Sequence, residues 1–459
     1  MSELRRYPDY KDSGVPWLGE IPSHWDEKRM RFFVNTNPLK SELDVADDTM
    51  VSFLPMEALS VDGGMNLDTD KEIGEVYKGY TYFRNDDVVI AKITPCFENG
   101  KASISKNLTN GIGFGTTELH VLRPKTDAIS KFIFYLIRSD SFMKIGESEM
   151  YGAGGQKRIP ERFIKNFLGA LPPLDEQKAI VNFLDTELEH IDTLIDKQQQ
   201  LIEKLAEQRS AVITHAITKG LDSDVAMKDS GVEWLGEIPE HWDLTYNKYL
   251  FNFSRGLTIT KADLIDEGIP CISYGEVHSK YGFEVDPDIH PLKCVPESYA
   301  ENFKYAVLKQ GDFVFADTSE DYKGSGNFTH LNTQTMTMAG YHTVVMKQKH
   351  NHNYRYLAYM FDSKAFRTQV INQVSGVKVF SVTQGILKRT PAWLPPRIEQ
   401  DKIVVYLDKE TNRMDLSSKA ATDIIAKLQE YRAALVTQAV TGKIDVRDID
   451  KGNSIEEVA

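Results

Sequence analysis

Two histidines one residue apart, His350 and His352, come nearest in this sequence to a metal-binding pair. Zinc would need two further ligands, and no cysteine or carboxylate stands at supporting spacing. A solvated hairpin tip is the expected place for them. Asp288 with the distant Asp321-Tyr322-Lys323 has the residue types of a nuclease carboxylate–lysine set, but so does any acidic loop. Gly111-Ile-Gly-Phe-Gly115 has the look of a nucleotide loop. It opens onto Thr116-Thr117 and a strand, which offers an anion no helix N-terminus, so a turn is expected. No GxxxxGK[ST] loop is present to drive an ATP motor. An amino-methylating site would need Asn or Asp, two prolines and an aromatic in succession. Asn37-Pro38-Leu39 and Thr94-Pro95-Cys96-Phe97 both fall short. Nothing assembles a nucleophile, a base and an oxyanion site. The sequence supports binding, not catalysis, with no metal and no cofactor held by this chain.

The elements that would position a binding surface are better marked. Leu171 to Leu221 begins with Leu-Pro-Pro, which ends whatever precedes it, and Asp175 and Glu176 then suit the positive end of a helix. Apolar residues follow every three or four positions: Leu184, Leu188, Ile191, Ile195, Ile202, Leu205, Val212 and Ala216. Gln198 and Arg209 interrupt the seam. With no Pro or Gly between Leu174 and Lys219, a rod of about 60 Å is expected at about 1.5 Å per residue. The stretch recurs. Leu394 to Glu410 matches Leu171 to Glu187 at 10 of 17 positions. The second seam runs in register through Leu407, Met414, Ala421, Ile425, Leu428, Leu435 and Ala439, with Arg432 in the place of Arg209. Two such stripes can cover each other as a coiled coil.

A second repeat precedes each half. Lys11 to Asp26 and Lys228 to Asp243 are identical at 14 of 16 positions and hold four of the five tryptophans. Their Pro, Gly and Trp content suggests an irregular segment anchored on a rod. Between box and rod the two halves differ in sequence but share a plan. Asp87–Ala91 answers Asp312–Ala316, and Glu118–Leu122 answers His342–Met346, all reading as strands. Tyr135–Phe142 answers Tyr359–Phe366, a helical stretch, and a glycine-bearing turn follows each. The expected domains are a Trp-rich box over 1–26, a variable α+β domain over 27–170 and a rod over 171–221. A second box (222–243), variable domain (244–393) and rod (394–445) follow, with an acidic tail over 446–459. Antiparallel rods would make the whole pseudo-twofold, with the variable domains at opposite ends.

The doubled WLGEIP-x-HW box, LPPLDEQ and LPPRIEQ leading into long helices, and the terminal LVTQAVTGKID mirrored by VITHAITKGLD together resemble the specificity subunit of type I restriction–modification enzymes. The resemblance covers nearly the whole chain as organisation, and it is loose in the variable domains. It implies two α+β target-recognition domains, each reading one half of a split sequence in double-stranded DNA. The helices would fix the spacer and dock two methyltransferase subunits, and motor-nuclease subunits would join for cleavage. S-adenosylmethionine, ATP and Mg would belong to those partners.

Base readout needs paired donors and acceptors, while lysines and backbone amides on phosphates set register. In the first variable domain the candidates are Gln156, Lys157 and Arg158, beside Gly154 and Gly155, then Lys92, Thr94 and Lys101 near the end of the Asp87 strand. In the second they are Lys378 at the later turn and Ser319, Tyr322, Lys323 and Ser325 after the Asp312 strand. Each would also be at home as a solvated loop residue.

Charge gives no direct support, because the net charge is −13. The acid is concentrated on the rod: between Asp175 and Met227 there are 11 acidic and 5 basic side chains. A coiled-coil scaffold whose globular ends bind proteins is therefore the competing reading. Three cysteines without a CxxC pattern suit a reducing compartment. No run approaches 18 apolar residues and no apolar leader is evident. A soluble cytoplasmic protein without a membrane partner is expected.

Overall fold

The computed structural model describes residues 5–376 and 378–447, so the expected acidic tail lies outside the described residues from position 448 onward. The chain forms two compact units. One is Gln200–Thr422, and the other joins the residues up to Gln199 with those from Asp423 onward. Each unit therefore contains one variable domain and a part of each rod.

In the first unit, strands form where β-branched and aromatic residues run together. Val88–Ala91, buried throughout, pairs antiparallel with both Leu119–Pro124 and Ala102–Ile104, and Val34–Thr36 flanks the far side of Leu119–Pro124. A second sheet carries Met50–Leu54 parallel to Ile112–Gly115, with Asp70–Glu72 and Thr81–Arg84 on its edges. The glycine-rich stretch is thus a strand, not a turn. Gly113 is required because a Cβ there would stand 2.3 Å from the Phe83 ring.

The second unit repeats the first of these sheets around Phe313–Ala316, also buried throughout. Thr343–Gln348 and Phe328–Leu331 pair with it on either side, and Phe251–Arg255 and Phe283–Val285 form the edges.

The helical stretch expected across Tyr135–Phe142 is two helices, Ser130–Ile137 and Asp140–Ser148. Ser139 divides them, its hydroxyl accepting the N–H of Phe142 as an N-cap. Ser363 divides Tyr354–Asp362 from Lys364–Ile371 in the same way.

The rods are continuous helices, Leu174–Lys219 and Arg397–Val440. In the first unit Leu184, Leu188 and Ile191 share a core with Leu435, Val436 and Ala439, and Ile195 and Leu428 pack at its edge. In the second unit Ile213, Ala216 and Ile217 share a core with Ile403, Val404 and Leu407. In each unit the early part of one helix thus lies against the late part of the other, which is antiparallel pairing. Met414 and Ala421 are buried, and Ile202, Leu205 and Ile425 are half-buried. Each fully buried aliphatic side chain contributes about 1.5–3 kcal/mol. The arginine interruptions are satisfied alike: Arg432 reaches Asp192 at 3.2 Å, and Arg209 reaches Asp362 at 3.1 Å and Asp415 at 3.6 Å.

In each unit the tryptophan box and the Leu-Pro-Pro helix start form one clasp. Trp25 is fully buried and its indole N–H donates to Glu176 at 2.8 Å, while His24 meets the other carboxylate oxygen at 2.6 Å. In the second unit Trp242 and His241 hold Glu399 at 3.1 and 2.7 Å. The glutamine after each glutamate turns toward the variable domain. Gln177 accepts from the Ile129 N–H and Gln400 from the Asn353 N–H. A carboxylate about two turns further along completes the docking. Asp185 accepts from Lys131 and Tyr135, and Asp408 accepts from Arg355 and Tyr359. The variable domains thus differ in sequence but sit on their helices through the same contacts.

Candidate nucleic-acid interface

At the end of the Val88–Ala91 strand the chain leaves the sheet with Lys92, whose N–H donates to the Glu118 carbonyl at 2.9 Å. The Lys92 carbonyl accepts from Ile159 at 2.8 Å, which brings the loop Tyr151–Arg158 up against the sheet end. Tyr151 and Arg158 close the loop through two backbone bonds, of 3.2 and 2.8 Å. Thr94 ties down its far limb: its N–H donates to Lys157, and its hydroxyl donates to the Gly155 carbonyl and accepts from the Lys157 N–H. Buried His120 holds the exit, donating through Nε2 to Ile159 while Asn37 donates to Nδ1. Burial pushes the His120 pKa below the usual imidazole range, which keeps it neutral and suited to that role. Gly152 sits at φ +148°, where a Cβ would lie 2.3 Å from the Gln156 carbonyl. No other residue lets the loop close so tightly.

On this support Gln156 and Lys157 are exposed, and Arg158 forms a two-point pair with Glu118 (Nε–Oε2 2.8 Å, Nη2–Oε1 3.0 Å). The Arg158 guanidinium holds the Glu118 carboxyl below the usual carboxylate range. A cleft of about 340 Å³ beside the loop is lined by Lys92, Asn37, Tyr80, Thr117, His120 and Glu161 among others.

The second unit builds the same support from other residues. Asp317 donates to the His342 carbonyl at 3.1 Å and accepts from Val382 at 2.8 Å. Thr318-Ser319 pairs with Phe380-Ser381, and Ser381 closes on Ser375 at 3.3 Å. Gly376, also at φ +148°, would place a Cβ 2.0 Å from the Val379 carbonyl. Outward, however, this loop carries no guanidinium pair. His342 faces Asp317 at 3.3 Å, Val379 is exposed, and exposed Tyr322 meets the Phe380 ring edge-on at 5.2 Å.

Two chemically distinct loops thus stand on one backbone framework. The family model described as "Type I restriction modification DNA specificity domain" matches residues 35–204 and again 239–424. This chain belongs to that family. It is 41% identical over 209 residues to the type I restriction enzyme EcoAI specificity subunit of Escherichia coli, 43% of this chain and 34% of that one. The EcoEI specificity subunit of the same species is 42% identical over 197 residues, 40% of this chain and 32% of the relative. The chain thus spans about a third of the length of these two relatives. The MjaVIII specificity subunit of Methanocaldococcus jannaschii is 23% identical and aligns over 70% of this chain and 71% of its own. In fold, the chain matches a structure of the type I R-M system (TM-score 0.72, 17% identity, 92% of this chain and 99% of that one). The HsdS subunit from Thermoanaerobacter tengcongensis also matches (TM-score 0.56, 16% identity, 92% and 98%).

Within this specificity-domain framework the candidate residues fall into three groups. Gln156, Lys157, Arg158, Tyr322, Lys323 and Lys378 lie on loop surfaces. Lys92, Thr94 and Lys101 are half-buried: Thr94 is committed to the loop's own hydrogen bonds, and Lys101 points its ammonium at the Met56 carbonyl at 3.5 Å. The expectation for Ser319 and Ser325 is corrected. Ser319 is buried, with its hydroxyl turned inward on the Asp321 backbone, and Ser325 is fully buried. A short polar side chain in a loop looks solvated in sequence, but here the turn folds it beneath its neighbours. Glu118 is the residue that sequence reasoning passed over. It stands 40 positions from Arg158 and carries no local signal of the pairing.

Among the described residues no helix is long and apolar enough to cross a membrane, and no group of three or more His, Cys, Asp or Glu could hold a metal ion.

Proposed function

We propose that this chain is the DNA sequence-recognition subunit of a type I restriction–modification complex. Each variable domain reads one half of a bipartite target in double-stranded DNA. The two continuous helices fix the spacer and dock two methyltransferase subunits, with motor-nuclease subunits joining for cleavage. The chain itself is not an enzyme. S-adenosylmethionine, ATP and Mg act in the partner subunits, and the assembly works in the cytoplasm. The observation that carries this reading is the pair of loops at 151–158 and 375–381. Three backbone bonds that seat the first loop have counterparts in the second, whereas the outward side chains differ in charge, size and hydrogen bonding. A protein-binding scaffold would have no need for two differently tipped copies on one support.

The test is a methylome. The chain is expressed with a type I adenine methyltransferase to which it binds, in a host free of DNA methylation, and N6-methyladenine is mapped by single-molecule sequencing. A split motif with a fixed gap, present only when this chain is present, is the expected outcome. An intact, bound methyltransferase that yields no such motif would return the chain to the scaffold reading.

A further inference from the structure

We propose that Arg158, held side-on by Glu118, reads a guanine in the half-site of the first variable domain; this rests on the recognition role proposed above. A guanidinium has two edges that can donate paired N–H bonds. Glu118 occupies the Nε/Nη2 edge at 2.8 and 3.0 Å. The Nη1/Nη2 edge is left with one long bond, from Nη1 to the Gln156 carbonyl at 3.4 Å. Two parallel donors on a fixed plane match the O6 and N7 acceptors that guanine alone presents together in the major groove. The arginine side chain is 39% exposed and the glutamate 25%, so the free edge can be reached while the supporting carboxylate is partly shielded.

Two observations separate this from an ordinary surface ion pair. The loop does not need the pair, because Tyr151, Thr94 and Ile159 already fix its backbone. Nor does the pair belong to the shared support. In the second variable domain the positions of Arg158 and Glu118 are taken by Ser381 and His342, while three of the backbone bonds persist, from Asp317 to His342, Val382 to Asp317 and Ser381 to Ser375. The fork was added to one loop of two on a common frame, which is where a base-specific group belongs. Glu118 is a positioning residue: it fixes the plane of the arginine and touches no base.

The experiment repeats the methylome with Arg158→Lys, Arg158→Ala, Glu118→Ala and the double variant. The wild-type motif is expected to hold a guanine that Arg158→Lys, which keeps the charge but loses the fork, no longer selects. Discrimination there should fall from about ten- to a hundredfold to a few-fold. The other half-site should stay as stringent as before, which shows that the variant folds and assembles. Glu118→Ala should relax that one position and no other, and adding it to Arg158→Ala should change nothing more. If Arg158→Ala abolishes methylation outright, Arg158→Lys carries the test. Selection unchanged in Arg158→Lys, relaxation at a base other than guanine, or loss spread over both halves overturns the proposal. Full stringency in Glu118→Ala overturns the positioning role. None of these outcomes resembles failure of the recognition role itself, in which the unaltered chain would direct no motif.

Discussion

The two variable domains solve the same structural problem around one buried aspartate in different ways. Asp87 and Asp312 each immediately precede the central strand, and each accepts a backbone N–H from three residues earlier, Arg84 and Lys309, at 2.9 Å. In the first domain Arg123 closes on Asp87 from the neighbouring strand at 2.7 and 2.8 Å, and Glu42 meets the outer side of the arginine. In the second, Lys347 replaces Arg123 and gives its ammonium to the Val307 carbonyl. Asp312 is left with little compensation, and burial pushes its pKa up to about 6. The turn geometry belongs to the common frame, whereas the ion pair is local to one copy. The proposed recognition loops show the same division, with backbone geometry held in common and side-chain chemistry kept private.

The sharpest way to break that comparison is to remove the cation. Arg123→Met leaves Asp87 buried and unpaired, and should cost the first domain about 3–5 kcal/mol. Lys347→Met should cost the second under about 1 kcal/mol, because its ammonium makes a backbone bond and not the buried pair. Hydrogen exchange along Val88–Ala91 and Phe313–Ala316 reads the two domains separately. Equal losses would show that Asp312 relies on Lys347 as Asp87 does on Arg123.

Next in size are the loop glycines. Gly152→Val should disrupt the first loop and lower methylation through that half-site by about 100-fold, since lost base contacts cost about 1–3 kcal/mol each. Gly376→Val should do the same to the other half alone. Gly154, at φ +62° with no atom within 4 Å of a Cβ, should tolerate alanine at a cost of about 1–2 kcal/mol in the loop. Methylation rates on targets altered in one half at a time distinguish these variants.

The smallest effect concerns pH. Because the folded-state pKa of Asp312 is raised from its ordinary 3.8 to about 6, the folded domain keeps a proton that the unfolded chain has lost between those values. Stability of the second domain should therefore fall as pH rises from about 4 to about 6, and stay level above. Asp312→Asn should remove that slope and stabilise the second domain by about 1–2 kcal/mol at pH 8. A slope that survives the substitution would assign the titration elsewhere.

The sequence made the frame legible for physical reasons. Helical rods announce themselves through a 3.6-residue period, and a buried strand such as Val88–Ala91 or Phe313–Ala316 through a continuous apolar run. Duplication then doubled each signal. The clasp between Trp25 and Glu176 was half-visible, since both boxes repeat but nothing in one names the other. The rest depended on distant partners. Arg158 finds Glu118 across the sheet end, Asp185 finds Tyr135 across the domain boundary, and Ser325 disappears beneath a turn. The helix break at Ser139 was missed because apolar residues on both sides keep the helical period while the serine hydroxyl caps a new start. Loop chemistry, to which the proposal assigns specificity, is the least periodic part of the chain.

One feature of the fold reverses the order of synthesis. The second unit is a single contiguous stretch, Gln200–Thr422, whereas the first is closed by Leu435, Ala439 and Ile444 from the far end of the sequence. Domains on a ribosome ordinarily mature from the N-terminus onward. Here the core of the half translated first is completed only once residues 435–444 have emerged. The half translated second can finish its core before it. A nascent chain paused near position 420 would therefore leave Leu184, Leu188 and Ile191 without the Leu435, Val436 and Ala439 side of their core.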